Sequence, residues 1–220
     1  MFLKLITYFF PWFLRRRLLN SFFGYKIHPN ARIGWSWIFP KELIMDEGAK
    51  IGNFNVAIHL DTVEMKSNSK IGRGNWITGF PSKTKSKHFS HQLDRESKLY
   101  LGKNSAVTKN HHIDCTNLIS IGEFSTIAGY SSQFLTHSID VYESRQSSMP
   151  IYIGDYTFVS TNVVVLGGSV LPSFSVLGAK ALLNKAYQEE WILYGGVPAK
   201  SVRTIDKNAK YFSRVDGFVH

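Results

Sequence analysis

The sequence predicts an all-β chain that coils into a parallel β-helix, and two observations support this fold class. An aliphatic residue followed by glycine returns along the chain, three times at a spacing of 18 or 20 residues. A six-residue phase is visible inside these repeats, as in IGEFST and IGDYTF, and repeats of six residues indicate a parallel β-helix. The repeating pairs are Ile33-Gly34, Ile51-Gly52, Ile71-Gly72, Leu101-Gly102, Ile121-Gly122, Ile153-Gly154 and Leu177-Gly178.

Each six-residue unit is expected to form a short strand and a corner. The aliphatic side chain points inward, while glycine or a small polar residue permits the sharp turn. One coil cannot bury its inner face alone, but coils stacked at the strand spacing bury a continuous aliphatic core. The repeats therefore predict a solenoid domain over residues 26–183.

Residues 1–25 form an apolar and basic segment ahead of the repeats. Its apolar run is interrupted by Pro11 and is followed by three arginines, Arg15–Arg17. The run is shorter than the roughly 20 apolar residues of a spanning helix, and its charges follow the apolar stretch, unlike those of a signal peptide. Two interpretations stay open: a helical cap on the solenoid end, or a membrane-surface segment with its arginines on lipid phosphates. The aromatic residues of the second interpretation are Phe2, Tyr8, Phe9, Phe10, Trp12 and Phe13.

Two insertions interrupt the period and are expected to project as loops. Insertions in solenoids collect on one face, which often binds ligands. The first, residues 81–98, is rich in lysine and either closes over a ligand or is simply solvated. The second, residues 136–150, carries His137 and is the better candidate for a site. Residues 184–220 follow the repeats as a C-terminal extension.

Composition narrows the possible functions. The 220 residues fit one domain of moderate size. Cys115 is the single cysteine, which excludes an intrachain disulfide and a CxxC metal site and is consistent with a cytoplasmic protein. The net charge of +10 suits a phosphorylated cofactor or a membrane surface. Since no zinc-finger or RNP-type pattern is present, nucleic acid is the weaker partner.

The run IYIGDYTFVSTNVVVLGGSVLPSFSVLGAKALL, followed by YGGVPAKSVR, resembles the hexapeptide-repeat acyltransferases. The similar branch contains sugar, serine and xenobiotic O-acetyltransferases, and the resemblance covers roughly Ile27–Arg203. It implies a left-handed parallel β-helix, a homotrimer with sites between subunits, and acetyl-CoA or another acyl-CoA as donor, with no permanently bound cofactor. It also implies a sugar or glycan hydroxyl as acceptor, in the assembly of a surface polysaccharide or a lipid-linked glycan. A membrane-seeking N-terminus agrees with that acceptor and predicts a peripheral position on the cytoplasmic membrane.

Acyl transfer from a thioester to a hydroxyl needs a base, and the resemblance assigns this role to His137. Histidine titrates near neutral pH and acts within hydrogen-bond reach. Asp140, three residues further on, either orients the imidazole or caps a turn. His112 and Asp114 end the middle unit of the preceding coil, where they either support the base or the acceptor, or satisfy a corner through backbone hydrogen bonds.

For the donor, the resemblance places pantetheine beside Ser160, Thr161, Gly168, Ala179 and Lys180. Lys180 stands where the family commonly has glycine. In the tail that follows, Lys200 and Arg203 after Pro198 either meet the CoA phosphates or form a solvated basic end.

Three other functions are possible on the same scaffold. A metal-dependent hydratase similar to the γ-type carbonic anhydrases needs a second histidine five residues after the first, but Asn117 follows His112 and Tyr142 follows His137 at that distance, so no metal site is predicted. A non-enzymatic solenoid that binds lipid or a partner stays open, as does acetylation of an amino acid or xenobiotic.

Overall fold

The computed structural model describes residues 2–84, 86–217 and 219, so Met1, Lys85, Phe218 and His220 lie outside the described residues. Within these ranges the strands form four sheets. Three of them, with seven, nine and seven strands, build the solenoid, and we call them the first, second and third faces; the fourth has two strands. Successive coils contribute one strand to each face, and neighbouring coils pair in parallel. The predicted parallel β-helix is therefore confirmed.

The strands are short, as a corner after every few residues requires. The first face contains Lys26–Ile27, Glu42–Met45, Thr62–Met65, Lys98–Leu101, Ile119–Ile121, Ile151–Ile153 and Val170–Leu171. The second face contains Arg32–Ile33, Lys50–Ile51, Lys70–Arg73, Ala106–Lys109, Thr126–Ile127, Phe158–Val159, Val176–Leu177, Ile192–Gly196 and Ala199–Thr204. The third face contains Trp37–Ile38, Val56–Ala57, Trp76–Thr78, His112–Asp114, Gln133–Leu135, Val164–Leu166 and Leu182–Leu183.

The inward residues of successive coils stack in register and form the core. On the second face, for example, Ile33 pairs with Ile51 and Ile51 with Ile71, and all three are buried. Each buried aliphatic side chain of this size contributes about 1.5–3 kcal/mol to folding. The aliphatic-glycine pairs do not mark a single face, because a corner follows an inward aliphatic residue on more than one face. Those on the first face are Leu101-Gly102, Ile121-Gly122 and Ile153-Gly154.

A column of buried polar side chains holds the corner between the second and third faces. Asn55 donates to Gly72 at 2.8 Å, and Asn75 donates to Asn55 at 2.9 Å. His111 continues the column, since its backbone N–H donates to Asn75 at 3.0 Å and its Nδ1 accepts from the Ser132 N–H at 3.2 Å. Burial lowers the pKa of His111 to about 4, so His111 is a neutral structural residue of this corner.

The N-terminal segment is helical and covers the first coil. It consists of helix Phe2–Ile6, a 3-10 turn Thr7–Phe9 and helix Trp12–Phe23, which Gly24 ends in the left-handed conformation. Trp12 donates to Ala31 at 3.0 Å, and Leu19 is buried against the core. The expected helical cap is thus present. Among the described residues, every helix falls short of the length and apolar character that crossing a membrane requires.

Both insertions leave the coil between the third and first faces. The residues between strands Trp76–Thr78 and Lys98–Leu101 form an irregular segment, which we call the lysine-rich loop. The second insertion is an antiparallel ribbon of His137–Asp140 and Arg145–Ser148, which we call the His137 hairpin. Three hydrogen bonds of 2.8–3.0 Å join Gln92 of the loop to Ser148 of the hairpin. The two insertions are therefore one packed unit.

The C-terminal extension folds back along the solenoid. After a hairpin formed by Ile192–Gly196 and Ala199–Thr204, a 3-10 helix at Lys210–Ser213 reaches the corner between the first and second faces. Tyr211 donates to Thr157 at 2.8 Å. The extension adds Trp191 to a stack of aromatic corner residues, Phe124, Tyr156 and Phe174, and its Phe212 packs edge-on against Phe174 and Trp191.

Candidate active site

His137 lies at the base of the hairpin, next to a carboxylate from the preceding coil. Its Nδ1 is 2.6 Å from Oδ2 of Asp114, and its backbone N–H donates to the same oxygen at 3.2 Å. Asp114 ends a strand of the third face, one coil before the hairpin leaves that face. Stacking of coils therefore brings together two residues that are 23 positions apart in the sequence.

Asp114 is buried and held from several sides. Thr116 donates to its Oδ1 through both the hydroxyl, at 2.7 Å, and the backbone N–H, at 3.2 Å. The Thr136 hydroxyl donates to the Asp114 carbonyl at 2.8 Å. The carboxylate is thus fixed before any ligand arrives. In contrast, 44 % of the His137 side chain is exposed, so its ring remains accessible.

This pair shifts the pKa of both partners. The hydrogen bond to Asp114 raises the pKa of His137 above its usual value, although partial burial opposes the shift. Burial alone would raise the pKa of Asp114, but hydrogen bonds from His137, Thr116 and Thr136 lower it more. The ion pair therefore stabilises the fold above the lowered pKa of Asp114, and this stabilisation is lost as pH rises through the raised pKa of His137.

The tautomer of His137 follows from the same contact. An ionised carboxylate only accepts hydrogen bonds, so Nδ1 carries a proton and donates it to Asp114. In the neutral ring Nε2 is then the basic nitrogen. A carboxylate bonded to Nδ1 also fixes the ring orientation and makes Nε2 a stronger base. This arrangement suits removal of a proton from a hydroxyl.

The lysine-rich loop covers His137 with an aromatic ring. Phe89 is buried although it adopts a φ of +59°, a strained conformation for a bulky residue. Its ring meets His137 edge-on, with centroids 6.3 Å apart. The interpretation of this insertion as a solvated loop is therefore wrong for Phe89, because its ring is packed between Arg95 of the same loop and His137.

Arg95 anchors the loop beside Asp114. Its guanidinium donates to the carbonyl of Pro81 at 2.8 Å and to those of Phe80 and Thr116, and lies 4.6 Å from the centroid of Phe89.

We expect Arg95→Met to lower the free energy of unfolding by about 3 kcal/mol, because buried charge-assisted hydrogen bonds are lost. The matching fall in Tm is roughly 6–12 °C, measurable by calorimetry. Lys83→Met, an exposed position in the same loop, is the control, and an equal effect of both variants would contradict the anchoring role.

Two predicted catalytic residues lie apart from the pair. Asp140 caps the hairpin turn, since its Oδ1 accepts from the N–H groups of Tyr142 and Glu143 at 3.1 Å; Asp114, and not Asp140, orients the imidazole. His112 shares a strand with Asp114 but is exposed, opposite Trp76 and Gln133 in the neighbouring coils. His112 and Asp114 are two residues apart on this strand, so both side chains project from its outer face.

The residues predicted to contact the donor lie in three places. Gly168 is at the base of the hairpin, in contact range of Met149, and the adjacent Gly167 passes so close to the Thr136 carbonyl that a Cβ would lie 2.7 Å from it. Ser160, Thr161, Ala179 and Lys180 belong to the corner between the second and third faces, where Lys180 N–H donates to the Thr161 carbonyl at 3.1 Å. Pro198, Lys200 and Arg203 belong to the C-terminal hairpin, on which Lys200 and Arg203 are exposed.

Sequence reasoning did not find Phe89, Arg95 or Gln92. No short motif surrounds them. Phe89 and Gln92 contact the second insertion, more than 40 residues further along the sequence, and Arg95 binds carbonyl groups of its own loop and of Thr116. A signal was present in the first insertion, where one aromatic and one arginine interrupt a polar run. A loop that is only solvated gives an aromatic side chain no core to pack against, and it does not bury an arginine.

Comparisons with solved structures give matches to acetyltransferases. The polysialic acid O-acetyltransferase OatWY aligns with 85% of this chain and 90% of its own chain, at 16% identity and a TM-score of 0.61. A hexapeptide-repeat acetyltransferase from Vibrio cholerae aligns with 93% of this chain and 88% of its own, at 20% identity and a TM-score of 0.48. No protein-family model and no curated protein sequence matches the chain.

At these identities the likeness concerns the fold. The alignment with OatWY extends over most of both chains. Together with the three parallel faces and the six-residue repeats, it confirms the fold class expected from the sequence. The chain has a left-handed parallel β-helix fold, which it shares with the solved structure of OatWY.

Proposed function

We propose that the protein is an acyl-CoA-dependent O-acyltransferase that transfers an acetyl group to a sugar hydroxyl, with His137 as general base. The main support for this proposal is the 2.6 Å contact between Nδ1 of His137 and Oδ2 of Asp114. The His137 ring remains accessible and lies at the base of an insertion. The acyltransferase assignment is supported by the fold shared with OatWY, a polysialic acid O-acetyltransferase.

The chemistry follows from the free Nε2. As the acceptor oxygen attacks the thioester carbonyl carbon, Nε2 takes the hydroxyl proton, and Asp114 stabilises the imidazolium that forms. When the tetrahedral intermediate collapses, the carbon–sulfur bond breaks and the CoA sulfur leaves with the proton held by His137. The products are the ester and free CoA, and no covalent bond to the enzyme is required.

For the donor we propose acetyl-CoA bound as a co-substrate, with no permanently bound cofactor. Gly168 lies at the hairpin base, close to His137 in the fold, because Gly167 contacts Thr136. The exposed Lys200 and Arg203 are suited to the CoA phosphates, since lysine and arginine side chains bind phosphate oxygens.

A homotrimer is part of the proposal. The third face presents Trp37, Val56 and Trp76 outward in register, and both tryptophans are more than half exposed. Exposed apolar patches of this kind mark interaction surfaces. A sedimentation measurement that gives a monomer at micromolar concentration would contradict this part of the proposal.

The test of the activity uses the full chain, acetyl-CoA and a panel of mono- and oligosaccharides. Release of free CoA is followed with a thiol reagent, and acetylated products are identified by mass spectrometry. Acceptor-dependent CoA release with a mass increase on the sugar is the expected result. If acetyl-CoA neither binds nor reacts, the non-enzymatic solenoid becomes the better interpretation; products on amino acids alone would favour a small-molecule acceptor.

A peripheral position on the cytoplasmic membrane is proposed for the N-terminal cap. Phe9, Phe13 and Phe22 project outward from the helices, with exposures of 89%, 58% and 76%. Of the arginines expected at lipid phosphates, Arg15 is an exception, since it is buried over the Tyr8 ring at 3.7 Å from its centroid. Arg17 is exposed and shares the outer face with Phe13.

Replacing Phe9, Phe13 and Phe22 together with serine is expected to weaken binding to vesicles that contain phosphatidylglycerol by more than 100-fold, because each buried phenylalanine contributes about 1.5–3 kcal/mol. Flotation of the protein with vesicles measures the effect. Leu93→Ser, at an exposed apolar residue of the lysine-rich loop, is the control. Deletion of residues 1–19 is a poorer test, since it removes buried Leu19 and the contacts that cover the first coil. Equal flotation of all variants would leave the segment with its capping role.

A further inference from the structure

A pocket of about 340 Å³ lies between the lysine-rich loop and the His137 hairpin, and we call it the interloop pocket. Its loop side contains Lys87, His88, Phe89 and His91, and its hairpin side contains Ile139 and Arg145. The pocket is outside the pair of His137 and Asp114, and nothing in the chemistry described above uses its basic residues.

The pocket is next to the proposed base. Phe89 forms part of its wall and contacts the His137 ring edge-on. Ile139, a second wall residue, is two positions after His137 on the same strand, and alternate residues of a strand project to the same side. Phe89 is therefore a shared neighbour of the interloop pocket and of the imidazole.

Side-chain contacts hold the two sides of the interloop pocket in place. Its two sides are joined by the hydrogen bonds between Gln92 and Ser148. The wall residue Phe89 is buried and is held by Arg95. These contacts fix the distance between the basic residues of the loop and those of the hairpin.

The charge of the pocket is positive. Lys87 and Arg145 carry full positive charges, and within the described residues neither forms an ion pair with a carboxylate. Asp140, which lies opposite Arg145 across the hairpin, accepts from the amides of the turn instead. His88 and His91 add ring N–H donors. Anionic oxygens suit such a set, since a guanidinium binds a carboxylate through two parallel hydrogen bonds.

We propose that the interloop pocket is the acceptor site and that it selects an acidic sugar, whose carboxylate binds Lys87 and Arg145 while a hydroxyl reaches Nε2 of His137. This inference rests on the proposed acyl transfer and adds the substrate class to it. The aliphatic and aromatic wall, formed by Ile139 and Phe89, packs against the apolar face of the sugar ring.

The test compares two probes that share every hydroxyl group, methyl glucuronide and its methyl ester, which lacks the negative charge. Binding to the full chain is measured by calorimetry without acyl-CoA, so that it does not depend on catalysis. We expect the acid to bind at least tenfold more tightly than the ester. Arg145→Gln and Lys87→Gln should each weaken binding of the acid about tenfold, the usual effect of one lost charge-assisted hydrogen bond, with little change for the ester.

Lys83→Gln, exposed in the same loop but outside the pocket, is the matched control and should bind the acid as the wild type does. Equal binding of acid and ester, or wild-type binding by both pocket variants, would overturn the inference. If acetyl transfer is absent while Arg145-dependent binding of the acid persists, the proposed function fails and the pocket stands. If transfer occurs equally to acid and ester in the wild type and in both pocket variants, the function stands and the pocket assignment fails.

Discussion

The variant His137→Asn is expected to lose acetyl transfer by about 10²–10⁴-fold in kcat, the contribution of a positioned general base. Asparagine can donate from its amide to Asp114 in place of Nδ1, so the buried carboxylate keeps a partner. It has no equivalent of Nε2, and the proton of the acceptor hydroxyl has no receiver. The loss is measured as CoA release at saturating donor and acceptor.

Folding must remain intact for this result to be informative. Because the His137 side chain is nearly half exposed, the circular dichroism spectrum and Tm should stay close to those of the wild type. His59→Ala, an exposed histidine of an earlier coil, serves as the control and should retain full activity. A well-folded His137→Asn protein with wild-type kcat would show that another group is the base.

The variant Asp114→Asn is expected to lower kcat by about 100-fold or more while leaving the KM for acetyl-CoA unchanged. The new amide can place an N–H toward Nδ1, which favours the tautomer with the proton on Nε2 and so removes the free base. The variant should also be less stable by about 1–3 kcal/mol, because oxygens that accept from Thr116, Thr136 and the His137 N–H are replaced in part by a donor.

The pH profile separates positioning from simple destabilisation. Transfer needs neutral His137, so the wild-type rate should fall as pH drops through the raised pKa of that histidine. In Asp114→Asn the cause of the raised pKa is gone, and the acid limb of the residual rate should move to lower pH. Asp140→Asn is the comparison, since asparagine also caps turns. An unchanged acid limb in Asp114→Asn, or an equal loss in both variants, would contradict the assignment of Asp114.

Much of the solenoid could be predicted because each repeat packs only against its neighbours and the same pattern recurs along the chain. Stacking of identical units places inward aliphatic residues at fixed intervals, as at Ile33, Ile51 and Ile71, and both insertions were visible as gaps in that period. The periodicity alone does not show which face a pair occupies, since Leu101 and Ile121 lie on the first face while Ile51 and Ile71 lie on the second.

Within the candidate site, the sequence identified His137 as the residue of interest but left its partner open between Asp140 and the cluster around His112. Strand parity and coil stacking decide between them. Asp114 faces outward under the hairpin and meets the imidazole, Asp140 lies at the far end of the hairpin, and His111 enters a buried polar column. None of these orientations follows from residue type, because each depends on which coil lies above or below.

The repeat period was enough to predict the solenoid and its two insertions, since each repeat needs only its neighbours to bury its core, and the family resemblance pointed to His137. The folded arrangement was needed to show that Asp114 holds His137, that Phe89 packs against it, and that the two insertions enclose a basic pocket. These contacts join segments from different coils, and their geometry exists once stacking has fixed the register between them.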